Sequence, residues 1–203
     1  MTERRILKGA DIVPWLDDFA ALRIRVFREW PYLYDGDLDY ERRYAQSYVS
    51  SENAVIAAVI DGGRMVGAST GLPIEDHEDG FASSFENRPE KPEELYYCAE
   101  SVLDAAYRGQ GFGNWFFDVR EAEARRLQRR YSTFCAVLRD PAHPMRPKAA
   151  RALAPFWRKR GYRELPDVET RFPWTDLGEE AETDKVLRFW IKDLCADGGD
   201  TIG

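Results

Sequence analysis

The chain has 203 residues, of which 44% are hydrophobic and 32% charged, with a net charge of −7. This length and composition suit one globular domain over residues 1–203. The negative charge argues against a nucleic-acid partner, because phosphates require basic patches, and mildly favours cationic small molecules. No apolar run is long enough to span a bilayer, and three scattered cysteines fit a reducing compartment, so we predict a cytoplasmic protein without membrane contact.

The N-terminal part is predicted to form a short strand followed by two helices. The strand is assigned to the partly apolar "RRILKG". A helix is indicated by apolar residues at helical spacing, namely Leu16, Phe19, Leu22, Val26 and Phe27. Pro31 and Gly36 end this pattern, and a shorter helix is predicted around "YERRYAQSYV".

The middle of the chain is predicted to contain a hairpin, a loop and a buried strand. Two apolar runs in "NAVIAAVIDGGRMVGASTGLPI" are joined by "DGG", a strong signal for a hairpin turn. The polar stretch from Glu75 to Glu94 is expected to be a long surface loop. "LYYCAESVL" is predicted to be one buried strand.

The C-terminal half is predicted to alternate helices and strands. A helix follows the glycine cluster at 109–113, and the apolar "YSTFCAVLRD" is the next strand. "KAARALAPFWRKRGY" is predicted to be a helix that ends at Gly161, with Pro155 as a source of a kink. "ETRFPW" and "KVLRFWIKDL" are the last strands. This order predicts an α+β (α/β three-layer) protein with a mixed sheet flanked by helices.

The glycine cluster "RGQGFGN" has the properties of an anion-binding turn. A glycine-rich turn between a strand and a helix exposes backbone N–H groups at the positive end of the helix dipole. The Walker pattern GxxxxGK[ST] is absent, and the dinucleotide pattern GxGxxG fails because Asn114 occupies its third glycine position. The cluster instead satisfies R/Q-x-x-G-x-G/A, which begins here at Arg108.

This segment resembles the acyl-CoA-binding signature of the GNAT superfamily of N-acyltransferases. "FWRKRGY" is similar to the second signature of that superfamily, and "AESVLDAAYRGQGFG", "FCAV" and "HPMRP" resemble an uncharacterised bacterial subset. The resemblance implies the GNAT fold, with a sheet of about six to seven strands splayed at its middle. It also implies acetyl-CoA as cosubstrate and, because members are often dimers, a homodimer.

The resemblance also assigns the residues that would hold the cosubstrate. The pantetheine arm would contact Val102 and Leu103 in the splay. The pyrophosphate would bind the backbone of the turn, which comprises Arg108, Gly109, Gln110, Gly111, Phe112, Gly113 and Asn114.

Glu100 is the candidate general base. It lies within the otherwise apolar "YYCAESVL", where an ionised carboxylate is costly unless it is paired or functional. An alkylamine is mostly protonated near neutral pH, so a carboxylate must remove a proton before the amine attacks a thioester. The alternative is that Glu100 forms a structural ion pair with a buried arginine. No general acid is assigned, because Trp157 occupies the position where many members of the superfamily carry a tyrosine.

The segment "REWPYLYDGDLDYE" is the candidate acceptor site. Trp30, Tyr32 and Tyr34, with Asp35 and Asp37 beside them, would suit a cationic or aromatic amine through cation–π and ionic contacts. The alternative is a helix-breaking turn with surface aromatics. The two histidines, His77 and His143, and the dispersed cysteines form no metal-ligand pattern.

Together these features predict an N-acetyltransferase that acts on a primary amine of a small molecule or peptide, by direct attack in a ternary complex. Two other classes remain open. One is a non-catalytic module of the same fold that binds or senses acyl-CoA. The other is a nicotinamide-dependent oxidoreductase, which the asparagine at position 114 disfavours.

Overall fold

The computed structural model describes residues 1–77 and 80–195 of the chain. Its α-helices are α1 (Leu16–Phe27), α2 (Leu38–Ser50), α3 (Phe112–Arg126) and α4 (Ala154–Lys159). Its strands are β1 (Glu3–Leu7), β2 (Val55–Asp61), β3 (Arg64–Pro73), β4 (Leu95–Tyr97), β5 (Ser101–Leu103), β6 (Tyr131–Val137), β7 (Arg163–Trp174) and β8 (Thr183–Asp193).

The strands form one mixed sheet in the order β1-β2-β3-β4-β6-β8-β7, with β5 also paired to β3. Adjacent strands are antiparallel except for β4 and β6, which are parallel. The predicted α+β sheet flanked by helices is therefore confirmed. It has eight strands rather than six to seven, because the strand predicted over "LYYCAESVL" is two separate strands, β4 and β5.

The helices cover both faces of the sheet. Phe19 and Leu22 of α1 and Tyr48 of α2 belong to the buried cluster on one face. Phe116 and Phe117 of α3 belong to the cluster on the other face, and α4 packs against that cluster. Strand β2 is buried on both faces, and its side chains alternate between the two clusters, as the pleat of a strand requires.

The fourth helix is shorter than the sequence predicts. It begins at Ala154, and residues 148–153 lie outside it. Pro155 is in the first turn, where its missing N–H has no intrahelical acceptor, so it begins the helix rather than kinking it. Gly161, with φ of +89°, follows the end of the helix in the left-handed conformation expected of such a glycine.

The residues that the structure describes contain neither a candidate membrane span nor a candidate metal cluster. Among them, no helix combines the length and the apolar character needed to cross a bilayer. The same residues contain no group of three or more histidine, cysteine, aspartate or glutamate side chains arranged to hold a metal ion.

Candidate active site

The sheet opens at the break between β4 and β5. Strand β4 pairs with β6 up to Tyr97 and Thr133, and the N–H of Cys98 makes the last bond, to the carbonyl of Thr133, at 2.8 Å. The chain then crosses to β3, where β5 pairs with residues 67–69. Strand β6 continues to Val137, paired with β8. A gap between β5 and β6 follows from this divergence, and its position is that of the predicted splay.

The edge of β5 that faces this gap carries backbone groups of Ser101 and Leu103. The N–H of Asp104 donates to β3 at 2.9 Å, and the carbonyl of Glu100 accepts from β3 at 3.1 Å. Along an antiparallel strand, the backbone N–H and C=O groups of successive residues point alternately to the two sides. Those of Val102 therefore point to β3, and those of Ser101 and Leu103 point away from β3. The side chain of Val102 is fully buried in the core. Of the two residues predicted to contact pantetheine, Leu103 has its backbone directed to the gap.

The glycine turn leads directly into α3. Gly109 and Gly111 have φ of +79° and +85°, a conformation that favours glycine, and Gly111 is the residue before the first turn of the helix. A Cβ atom added to either glycine would meet no atom within 4 Å, so the space in front of the turn is open. Gly113 differs, because it lies inside α3 and its Cβ would approach Phe156 at 3.6 Å. The turn thus exposes backbone N–H groups at a helix N-terminus.

The side chains of the turn have defined contacts. Arg108 donates from Nη2 to Oε2 of Glu29 at 2.8 Å and from Nε to the carbonyl of Leu103 at 3.2 Å. Gln110 donates to the carbonyl of Ala106 at 3.1 Å. Phe112 is buried, and Asn114 is exposed. An anion bound at the turn would therefore have to share Arg108 with the carboxylate of Glu29.

Glu100 lies in the break, not inside a strand as the sequence predicted. Its carbonyl accepts hydrogen bonds from the N–H of Thr70 at 3.1 Å and from Nη1 of Arg120 at 3.2 Å. Arg120 itself is almost fully buried beneath the break. The backbone of Glu100 is therefore held from two elements, β3 and α3, which directs its side chain toward α1 and α2.

The side chain of Glu100 is buried and bonded on one oxygen. Its Oε2 accepts from Nη1 of Arg23 at 2.9 Å, from the hydroxyl of Tyr44 at 3.1 Å and from that of Tyr48 at 3.2 Å. Its Oε1 has no hydrogen-bond partner among the described residues. Burial raises the pKa of both tyrosines well above the usual value, and the carboxylate of Glu100 adds to this, so both remain neutral donors.

Arg23 connects Glu100 to a second buried carboxylate, Glu41. Nε of Arg23 donates to Oε2 of Glu41, while Oε1 of Glu41 is also without a partner in the described structure. The guanidinium lies 4.0 Å from the ring centroid of Tyr44 and 5.0 Å from that of Phe27. Burial alone would lower the pKa of Arg23, but Glu100 and Glu41 more than offset it and hold that pKa well above its usual value. One cation is thus shared by two carboxylates.

Arg23 and Glu41 were missed in the sequence, although a signal was present. Arg23 lies four residues after Phe19, and Glu41 lies four residues before Ala45 and seven before Tyr48. These spacings put each charge on the buried face of its helix. A charged residue on an apolar stripe is costly unless it is paired, and two of them on adjacent helices indicate a pair.

A cavity of about 560 Å³, here called the central cavity, opens beside these residues. Its arginine and carboxylate lining residues are Arg23, Asp35, Asp37, Glu41, Glu100 and Glu182. Its aromatic lining residues are Phe27, Tyr32, Tyr34, Tyr40, Tyr44, Phe81, Tyr97, Phe172 and Trp174. Tyr32 and Tyr34, predicted at the acceptor site, thus line the same cavity as Glu100. Trp30 is not among the lining residues, and its ring packs 5.4 Å from that of His143.

No protein-family model matches the sequence, and no curated protein matches it. Solved structures do match. A candidate acetyltransferase of Acinetobacter baylyi is 12% identical, with a TM-score of 0.61, covering 95% of this chain and 93% of that chain. An acetyltransferase of the GNAT family from Staphylococcus aureus is 15% identical, with a TM-score of 0.53, covering 95% of this chain and 99% of that chain. The chain has the GNAT fold.

A third structure with the GNAT fold contains a bound ligand. It is a candidate acetyltransferase of Salmonella typhimurium with its cofactor acetyl-CoA, 12% identical to this chain, with a TM-score of 0.56. The match covers 96% of this chain and 94% of that chain. At such identities the likeness is one of fold, so the roles of individual residues depend on their own geometry.

Within this GNAT fold, Trp157 is remote from the central cavity. It packs between Phe134 and Trp190, at ring distances of 5.0 and 5.1 Å, in the cluster on the α3 and α4 face. An indole donates a hydrogen bond but has no proton to transfer at ordinary pH. On the other face, Cys135 belongs to the buried core and also lines the central cavity. Its Sγ lies 3.1 Å from the hydroxyl of Tyr97.

His77 contributes a neutral ring to the central cavity. Burial, together with the nearby guanidinium of Arg23, lowers its pKa to about 4. The ring stacks on Phe81 at 5.0 Å, and Nε2 lies 3.5 Å from the hydroxyl of Tyr44. At neutral pH this histidine adds no positive charge to the cavity.

Proposed function

We propose that this protein is an N-acetyltransferase that transfers the acetyl group of acetyl-CoA to a primary amine by direct attack in a ternary complex. The observation that carries the proposal is Oε1 of Glu100. It is a buried carboxylate oxygen without a partner among the described residues, on the wall of a cavity at the point where the sheet opens. The GNAT fold, and a structure of that fold with acetyl-CoA, add support.

The glycine turn fits the phosphates of acetyl-CoA. The open space in front of Gly109 and Gly111 admits an anion to the backbone N–H groups at the start of α3. Arg108 could exchange its exposed pair with Glu29 for a phosphate. The backbone of Ser101 and Leu103 would bond to the pantetheine arm along the gap. When bound, acetyl-CoA supplies the acetyl group as a thioester.

Glu100 would act as the general base on the acceptor amine. Its carboxylate takes a proton from the ammonium group, and the free amine then attacks the carbonyl carbon of the thioester. As the C–N bond forms and the C–S bond breaks, the nitrogen releases its second proton to solvent. The sulfur leaves as a thiolate and takes a proton from solvent. Tyr44 and Tyr48 keep the carboxylate oriented through Oε2, which leaves Oε1 for the incoming proton.

A non-catalytic module that binds acyl-CoA is the second candidate, because Glu100 does form an ion pair with a buried arginine. That arginine is shared with Glu41, however, so Glu100 is not neutralised by a cation of its own. Catalysis and binding therefore have to be separated by experiment.

Binding of the cosubstrate is tested by calorimetry with acetyl-CoA, and with NAD and NADP as comparators. We expect binding of acetyl-CoA alone, and at least a tenfold loss with Gly111→Val, because a side chain there strains the turn and blocks the backbone. Gly63→Val is the matched control, since Gly63 has a similar φ of +77° and equally open surroundings in the β2–β3 hairpin.

The outcomes of this test separate the candidates. Absence of acetyl-CoA binding at high micromolar concentration would overturn the proposal, as would equal affinities of the two glycine variants. Acetyl-CoA binding without acetyl transfer to any member of a broad amine library would favour the non-catalytic module.

A further inference from the structure

The buried part of the central cavity carries an uncompensated negative charge. Glu41 and Glu100 bring two carboxylates to the single guanidinium of Arg23. Both glutamates are less than 10% exposed, and each has one oxygen without a partner among the described residues. A buried charge is costly unless it is paired, so this arrangement favours a ligand that brings one positive charge to the buried part. The other three lining carboxylates, Asp35, Asp37 and Glu182, are exposed to solvent, which satisfies them without a ligand.

The same cavity has no cation to receive a negatively charged ligand group. Arg23 is the one cationic side chain among its described lining residues, and both glutamates already use it. Arg139 and Lys185, which lie near the ring of Trp174, are held by Asp176 at 2.6 and 3.4 Å. A carboxylate on the ligand would therefore meet only like charges.

The remaining walls are suited to an apolar body. Phe81, Phe172 and Trp174 line the cavity together with Tyr32, whose phenol is neutral because burial raises its pKa. The rings of Phe81 and Phe172 lie 6.1 Å apart, and those of Tyr32 and Trp174 lie 5.9 Å apart. A volume of about 560 Å³ is within the usual range for a small organic ligand.

We propose that the acceptor is an amine with a single ammonium group on an aromatic or other apolar body, and that amines carrying a carboxylate, such as free amino acids, are excluded. This proposal rests on the proposed acetyl transfer, since the amine is an acceptor only if the protein is an acetyltransferase. The recognition of the amine can be measured by binding alone. Glu41 is its specificity-determining residue, because it supplies the second carboxylate.

Three compounds with the same phenyl body test the proposal on the unmodified protein. They are phenethylamine, L-phenylalaninamide and L-phenylalanine, and binding is measured by calorimetry with and without acetyl-CoA. We expect the first two to bind at least about tenfold more tightly than the amino acid, because only the latter carries a carboxylate. Putrescine, which has two ammonium groups and no aromatic body, is expected to bind more weakly than phenethylamine. Equal binding of L-phenylalanine, or tighter binding of putrescine, would overturn the proposal.

The variant Glu41→Gln tests the role of the second carboxylate. It is expected to lower the affinity for phenethylamine about tenfold and to leave the affinity for acetyl-CoA unchanged. Asp39→Asn is the matched control, since it removes one negative charge from an exposed position of the same helix outside the cavity. Equal effects of the two variants would contradict a local role for Glu41.

The proposed function and this inference fail in different ways. If phenethylamine binds and responds to Glu41→Gln, but no acetyl transfer occurs with bound acetyl-CoA, the recognition stands and the enzymatic proposal is lost. If acetyl transfer occurs, but with equal preference for L-phenylalanine and phenethylamine, the enzymatic proposal stands and the inference is lost.

Discussion

Two buried ionic clusters lie on opposite faces of the sheet, and their charges are balanced differently. On the α1–α2 face, Arg23 serves both Glu41 and Glu100, and two carboxylate oxygens are left without partners among the described residues. On the α3–α4 face, Glu121 accepts from Arg160 at 3.0 Å on one oxygen and from Lys192 at 3.1 Å on the other.

The second cluster is closed by further contacts. Tyr162 also donates to Glu121, at 3.3 Å, and Arg160 forms a second pair with Asp118 at 2.8 Å. Its charges balance, and only Nε of Arg160 among these groups is without a partner in the described structure.

The difference separates a structural cluster from a candidate functional one. A buried carboxylate whose oxygens are all bonded to cations is satisfied by the fold. A buried pair of carboxylates that share one cation beside a cavity remains able to bind a proton or a cation. We therefore expect a ligand to add stability at the cluster on the α1–α2 face and not at the cluster on the α3–α4 face.

The largest expected effect is that of Glu100→Gln on turnover. The amide cannot accept the proton of the amine, so we expect kcat to fall by about 100- to 10,000-fold and the acidic limb of the pH–rate profile, which reports the general base, to change. The free energy of unfolding should change by less than about 1.5 kcal/mol, because Arg23 keeps Glu41 as its partner. Steady-state kinetics and urea unfolding measure the two effects. A large loss of stability with unchanged kcat would make Glu100 a structural ion-pair partner.

Glu121→Gln is expected to lower the free energy of unfolding strongly and to change turnover little. The change leaves Arg160 and Lys192 facing a neutral amide in a buried site, so we expect a loss of about 3–5 kcal/mol in the free energy of unfolding. At a temperature where the variant is folded, kcat should stay within about twofold of the unmodified protein. Urea unfolding beside kinetics checks this, and equal stability losses for Glu121→Gln and Glu100→Gln would remove the distinction between the clusters.

The smallest expected effect is the contribution of His77 to the pH dependence of the free energy of unfolding. Its pKa is about 4 in the folded protein against an ordinary value of 6.5, so the folded state favours the neutral ring. The resulting stability is fully present above about pH 6.5 and is lost as the pH falls toward 4, by up to about 3 kcal/mol. His77→Gln should lack this part of the acid dependence. Urea unfolding at pH 7, 5.5 and 4.5 measures it, and parallel pH profiles for the two proteins would contradict the assignment.

Much of the fold could be predicted from the sequence because its signals are local. The β2–β3 hairpin follows from "DGG", and α1 follows from the spacing of Phe19, Leu22 and Val26. The break at Glu100 could not be predicted, since "LYYCAESVL" is apolar on both sides of Glu100 and Ser101, as one continuous strand would be. Its division depends on β4 pairing with β6 and β5 with β3, which are contacts to distant parts of the chain.

The candidate site likewise has features that the sequence alone predicts and features that depend on contacts between distant parts of the chain. The sequence by itself determined the glycine turn, because positive φ at Gly109 and Gly111 and the start of α3 depend on neighbouring residues alone. It also singled out Glu100 by its apolar surroundings. Only the tertiary structure decided that Glu100 shares its cation with Glu41, since Arg23 and Glu41 lie on different helices and meet through packing on the sheet. A charge balance is a sum over side chains that folding brings together, so chain order could not reveal it.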